Sequence, residues 1–111
     1  DDVKDNFTIM REEPFGPLVP ILTFKTFDEV IERANDNDLG LCSYLYTNSM
    51  DKAHIGSEKL ESGCVAVNTG VVAIAEAPFG GIKQTGYGRE GGSGAIKDYL
   101  NVKYTHMGLK I

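Results

Sequence analysis

Glu12-Glu13-Pro14-Phe15-Gly16-Pro17 sets a carboxylate and an aromatic ring two residues apart on a turn stiffened by two prolines. Such a pair suits a nucleotide cofactor. A carboxylate accepts both hydroxyl protons of a ribose, and an aromatic face packs against a nicotinamide ring and orients it for hydride transfer. The plainer alternative is a surface glutamate beside a core phenylalanine, which composition by itself favours.

Other patterns carry less chemistry. Gly86-Tyr87-Gly88-Arg89-Glu90-Gly91 matches G-x-G-x-x-G, but that fingerprint works only where the glycines join a buried strand to a helix whose N-terminus meets a pyrophosphate. Here the preceding residues 80–85 read as loop and the glycines continue to Gly94, so a structural turn is expected. Asp36-Asn37-Asp38 resembles the start of a calcium loop without the remaining ligands or the distal glutamate. His54 falls on a predicted helix and His106 in a predicted strand, neither with a cluster at ligand spacing, so no metal site is expected. Cys42 and Cys64 each lie inside an apolar run, where cysteine acts as a small buried hydrophobe.

The elements that position these residues follow from periodicity. Residues 7–10 and 18–24 read as strands flanking the proline turn. Thr26 caps a helix with Glu29 three residues on, and Val30, Ile31 and Ala34 form its apolar face until Asp38-Leu39-Gly40 stops it. Residues 41–46 read as a strand, Asn48 or Ser49 caps a second helix that runs to Ser62, and residues 64–68 read as the next strand. Strand, helix, strand with short connections implies an α/β fold, a largely parallel sheet with covering helices. A glycine-rich loop fills 71–94, followed by a helix over 95–100 and a last strand over 102–107. So small a parallel sheet leaves open edges, which points to missing partners.

Composition narrows the function classes. The chain has 111 residues, 41% of them hydrophobic and 24% charged, enough for one domain with a thin core. No apolar run approaches the roughly 18 residues of a membrane span. Eleven Lys and Arg stand against 16 Asp and Glu, a net charge of −5, and the basic residues are scattered, so nucleic acid is not an expected partner. The acidic opening Asp1-Asp2-Val3-Lys4 is unlike a signal peptide, and a cytoplasmic setting with reduced thiols is expected.

Several blocks together carry a resemblance. The hexapeptide at 12–17 is similar to the E-E-x-F-G-P signature of NAD(P)-dependent aldehyde dehydrogenases. Ala34-Asn35 followed by Gly40-Leu41 resembles that family's A-N-x-x-x-x-G-L. Val67-Asn68 followed by Pro78-Phe79-Gly80-Gly81-Ile82-Lys83-Gln84-Thr85-Gly86 resembles its V-N and P-F-G-G-x-K-x-S-G block with threonine for serine, and Gly88-Arg89-Glu90 resembles its G-R-E. The resemblance implies that Glu13 binds the nicotinamide ribose and Phe15 packs near the nicotinamide of NAD or NADP, whose pyrophosphate an upstream domain would hold. It implies that Phe79 helps line the aldehyde pocket, with Ala73 and Ile74 in the loop at its mouth. Residues 1–101 would be the C-terminal half of a catalytic domain, a partial one, and residues 102–111 an oligomerisation strand building homodimers or homotetramers.

In that family a cysteine thiolate attacks the aldehyde, hydride passes to the nicotinamide, and a glutamate base activates water against the thioester. Both catalytic residues precede the E-E-x-F-G-P block by more than the residues available before Glu13, so neither Cys42 nor Cys64 takes the nucleophile's place. The chain alone is expected to be inactive, with no catalytic residue of its own. Val67-Asn68-Thr69-Gly70 and Glu76-Ala77-Pro78-Phe79-Gly80-Gly81 are most similar to succinate-semialdehyde dehydrogenases. Those enzymes commonly carry a pocket serine where Ala73 and Ile74 stand here, and an apolar pair leaves room for a longer or less polar aldehyde. Two alternatives are a non-catalytic interaction module and a small nucleotide-binding domain built on Gly86 to Gly91.

Overall fold

The computed structural model describes residues 3–110; Asp1, Asp2 and Ile111, at the outer ends of the predicted spans 1–101 and 102–111, lie outside the described residues. Helix α1 spans Phe27–Asn35. Its start is fixed as the sequence predicts: Thr26 Oγ1 accepts the Glu29 N–H at 3.2 Å, and Glu29 Oε2 accepts the Lys25 N–H at 2.8 Å. Satisfying these otherwise orphaned donors stabilises the helix by about 1 kcal/mol.

Strand β1 is Leu39–Gly40 and β2 is Cys42–Leu45. Helix α2, Met50–Lys59, is capped by Ser49 and leads into β3, Cys64–Val67. β2 and β3 pair in parallel, Cys42 beside Cys64 and Leu45 beside Val67, with α2 as the crossover. Gly56 lets α2 lie close to the pair, because a Cβ there would meet Leu45 and the Phe27 ring. A short β4, Ile82–Lys83, runs antiparallel to β1.

The ladder is lengthened by a side chain. Asn68, at a positive φ of 55°, accepts the Thr47 N–H through Oδ1 and donates from Nδ2 to the Thr47 carbonyl, both at 2.9 Å. Asparagine tolerates this left-handed backbone better than a branched residue would.

Several expectations are corrected. Residues 7–10 form a 3-10 turn, Thr8–Met10, and residues 18–24 form no strand. Pro17 and Pro20 remove ladder donors there, and no neighbouring strand among the described residues offers a partner. The helix expected over 95–100 is a 3-10 helix, Ala95–Tyr99, without a side-chain cap. Helix α2 ends at Lys59, short of Ser62. The sheet is divided between one parallel and one antiparallel pair rather than largely parallel. Residues 102–110 form no ladder in this single chain and are exposed throughout, Val102, Tyr104 and Leu109 almost completely.

The core is smaller than one compact domain requires. Among the described residues only Ile31 and Ala66 are buried hydrophobic residues. The accessible surface is 9360 Å², against about 6,000 Å² for a compact protein of this mass. The radius of gyration is 19.6 Å, against about 13 Å for a compact domain of this length. The molecule is elongated, 78 × 33 × 23 Å, and leaves Phe15, Leu18, Val19 and Ile21 open to solvent.

Candidate functional site

The 3-10 turn at Thr8–Met10 delivers the chain to Glu13, with the Arg11 and Glu12 N–H groups both donating to the Thr8 carbonyl. Two tight turns follow, Gly16 N–H to the Pro14 carbonyl at 3.0 Å and Leu18 N–H to the Gly16 carbonyl at 2.8 Å. They present Phe15 outward, 96% exposed. Arg11 holds this block against the end of α1, donating to the Asp36 carboxylate at 2.8 Å and to its carbonyl at 3.0 Å. The hydrogen bond and charge of Arg11 hold the Asp36 carboxyl below the usual range.

Glu13 lines an open depression of about 380 Å³ with Met10, Pro20, Leu41, Cys42 and Thr85. Among the described residues its carboxylate has no hydrogen bond or ion pair and so is free to accept from a ligand. A free carboxylate two residues from an exposed aromatic ring suits a nicotinamide riboside; the two residues would hold it while the bound nicotinamide supplies a hydride acceptor.

Phe79 is held by the loop that follows it. It exchanges backbone hydrogen bonds with Glu90, at 2.7 and 2.8 Å. Arg89 tightens this loop, its Nη1 donating to the carbonyls of Gly81, Tyr87 and Gly88 at 2.6, 3.1 and 2.9 Å. Gly80 and Gly63 permit the close approach, since a Cβ at Gly80 would collide with the Gly88 carbonyl and one at Gly63 with the Gly80 carbonyl. Phe79, half-buried, lines a second depression of about 360 Å³ with Arg89 and Tyr99. Leu41 and Thr85 line both depressions, so the two are adjacent. Ala73 and Ile74 are exposed and line neither depression.

Two further motif residues join helix α1 to the strands. Lys83, at a positive φ of 56°, donates from Nζ to the carbonyls of Asn35 and Asn37 at 2.8 and 2.9 Å and pairs with Glu61 at 2.6 Å. Asn35 bridges the end of α1 to the end of α2, donating to the Lys59 carbonyl and accepting the Glu61 N–H. The A-N and K-x-S/T motifs were the signal for both residues, but the roles of Lys83, Asn35, Arg11 and Arg89 are visible only in space.

The G-x-G-x-x-G match is a loop, as expected. The β4 strand before it has two residues and no helix opens on it; Gly86 and Gly91 supply positive φ angles of 98° and 65°.

Known proteins resemble this arrangement over nearly the whole chain. Residues 1–105 match the aldehyde dehydrogenase family. The mitochondrial succinate-semialdehyde dehydrogenase of Arabidopsis thaliana is 45% identical over 107 residues, which cover 96% of this chain and 20% of the relative. The glutarate-semialdehyde dehydrogenase of Pseudomonas aeruginosa is 45% identical over 107 residues, 96% of this chain and 22% of the relative. The NAD+ complex of an aldehyde dehydrogenase from Bacillus cereus superposes with a TM-score of 0.88 at 46% identity, covering 92% of this chain and 21% of that one. The chain thus spans about a fifth of the length of the proteins it matches. With the motifs in order, the α/β fold shared and the family matched along 105 residues, the chain belongs to the aldehyde dehydrogenase family.

Proposed function

We propose that this chain is the C-terminal part of an NAD(P)-dependent aldehyde dehydrogenase that oxidises a semialdehyde, with succinate semialdehyde as the leading substrate, to the carboxylate. The observation that carries the reading is the unpaired Glu13 carboxylate, lining a depression adjacent to the one lined by Phe79, with the exposed Phe15 ring two residues on in the chain. In this reading Glu13 accepts the ribose hydroxyl protons and Phe15 orients the nicotinamide of NAD or NADP. Phe79 excludes water from one wall of the aldehyde site, with Ala73 and Ile74 at its mouth. The nucleophile and base come from the rest of the polypeptide, which also covers the open apolar face at residues 15–24.

Residues 102–111 in this reading add a strand to a neighbouring subunit, giving a homodimer or homotetramer. Open backbone donors and acceptors there favour strand addition. The enzyme works in a reducing, cytoplasmic compartment, in keeping with two free cysteines. Among the described residues no helix is long and apolar enough to cross a membrane.

The test is nicotinamide reduction followed by absorbance, with succinate and glutarate semialdehydes and both cofactors. The polypeptide that joins this chain to the remaining length of its relatives turns over, and the 111-residue chain by itself does not. An inactive longer polypeptide that is folded and binds neither cofactor would contradict the reading.

A further inference from the structure

Cys42 and Cys64 occupy the same register position on the neighbouring parallel strands β2 and β3. Register partners in a parallel ladder send their side chains to the same face, and adjacent strands lie about 4.8 Å apart, inside the roughly 4.4–6.8 Å span of disulfide-linked Cα atoms. Both residues are half-buried rather than sealed in the core, and neither is bonded to another cysteine. Cys42 also lines the depression that holds Glu13. On the other strand, the Cys64 thiol donates to the Gly80 carbonyl at 3.7 Å, one residue from Phe79.

We propose that Cys42 and Cys64 form a dithiol modification site that a small-molecule disulfide oxidises reversibly to a cross-strand disulfide. The first protein thiolate attacks one sulfur of the reagent, breaking its S–S bond, forming a mixed disulfide and releasing one small thiol. The second protein thiolate attacks the mixed disulfide at the protein sulfur, forming the Cys42–Cys64 bond and releasing the second small thiol. Both protein thiols give up a proton, the protein pair loses two electrons, and the reagent gains both. Excess thiol reverses each step. A reducing compartment keeps the site open, and its closure reports the loss of that poise.

The surroundings agree with the pairing. Burial first, then the charge and hydrogen bond of Cys64, push the Cys42 thiol up, so the two sulfurs feel one another. Oxidation removes the S–H that Cys64 donates to Gly80, where the chain packs against Gly63 without room for a Cβ. Closing the disulfide therefore releases one tether of the segment that carries Phe79. This inference stands on the β2–β3 register alone and does not depend on the proposed reaction.

The experiment incubates the protein, in the longest polypeptide that carries this chain, with glutathione disulfide. Remaining thiols are then blocked with N-ethylmaleimide and the protein is cut with trypsin without reduction. Arg33, Lys52, Lys59 and Lys83 place Cys42 in peptide 34–52 and Cys64 in peptide 60–83, so their union is distinct from any upstream cysteine. The expected product is the joined pair, about 2 Da lighter than the two peptides together, lost on treatment with dithiothreitol. Its yield in the native protein exceeds that in denaturant by roughly 10-fold, because the fold holds the thiols at high effective concentration. Separate glutathione or N-ethylmaleimide adducts at both positions, or equal yields in native and denatured protein, would overturn the proposal.

Discussion

Arg11, Asn35, Lys83 and Arg89 do related work, each spending a polar side chain on backbone groups: Arg11 ties the block that carries Glu13 to the end of α1, Asn35 and Lys83 join the end of α1 to residues 59–61 and to β4, and Arg89 tightens the loop next to Phe79. Glu13→Gln, which weakens hydrogen bonding to a ribose by about 1.5–3 kcal/mol, is expected to raise the KM for the cofactor by roughly 10-fold or more, with the KM for aldehyde nearly unchanged; steady-state kinetics of the active polypeptide reads both. Gly63→Ala, forced against the Gly80 carbonyl, destabilises by about 1–3 kcal/mol, whereas Gly88→Ala, with nothing within 4 Å, stays within about 0.5 kcal/mol. Denaturant midpoints of the two variants separate these cases, and a Gly88 variant that lost cofactor binding would restore the G-x-G-x-x-G loop as a nucleotide site. The raised Cys42 thiol keeps its proton in the folded chain as pH climbs through the ordinary thiol value of about 8.5. Its alkylation by iodoacetamide therefore inflects above that value, and folding loses stability there because the unfolded chain ionises first. The roles proposed for Glu13 and Phe15 rest on the family resemblance, since composition by itself favours a surface glutamate beside a core phenylalanine; the Phe15 ring is in fact exposed. The carbonyl clamps are not legible in the sequence, because those of Arg11, Asn35 and Lys83 join residues 24 or more apart and that of Arg89 depends on how a glycine-rich loop folds back.

Local signals and missing neighbours divide the elements. α1 begins at the cap that Thr26 and Glu29 predict, and β2, α2 and β3 follow in the expected order, because their caps, periodicity and pairing all lie within one short crossover. The segments read as strands at 7–10 and 18–24 fail for a physical reason: β-branched composition favours a pleated surface, but a strand exists only with a hydrogen-bonded neighbour. β4 was hidden because a two-residue pair inside a glycine-rich loop has no periodicity to read. Thr26→Ala is expected to cost about 1 kcal/mol and Ile31→Ala about 2–5 kcal/mol, both readable as shifts in thermal midpoint. The depressed Asp36 carboxyl contributes stability that is present above the ordinary aspartate value of about 3.9 and lost as pH falls through its lower folded value. Arg11→Ala weakens that acid dependence, which a comparison of stability at neutral and acidic pH detects.

At the scale of the whole molecule, an excess of exposed surface and a large radius of gyration describe a piece that fits against something larger. A chain that spans a fifth of its relatives, with the face at residues 15–24 bare, is expected to show weak amide protection by itself and strong protection within the longer polypeptide. Deleting residues 102–111 from that polypeptide is expected to convert the proposed oligomer to monomer in sedimentation while leaving α1 and the β2–β3 pair folded. In the proposed reading this segment grips the cofactor and walls the substrate but supplies no nucleophile. The most direct test of that reading is the kinetics of the active polypeptide carrying Cys42→Ala with Cys64→Ala, beside Glu13→Gln. The double cysteine variant is predicted to keep its kcat while Glu13→Gln raises the KM for the cofactor; loss of turnover in the double variant, with Glu13→Gln unaffected, would contradict the account.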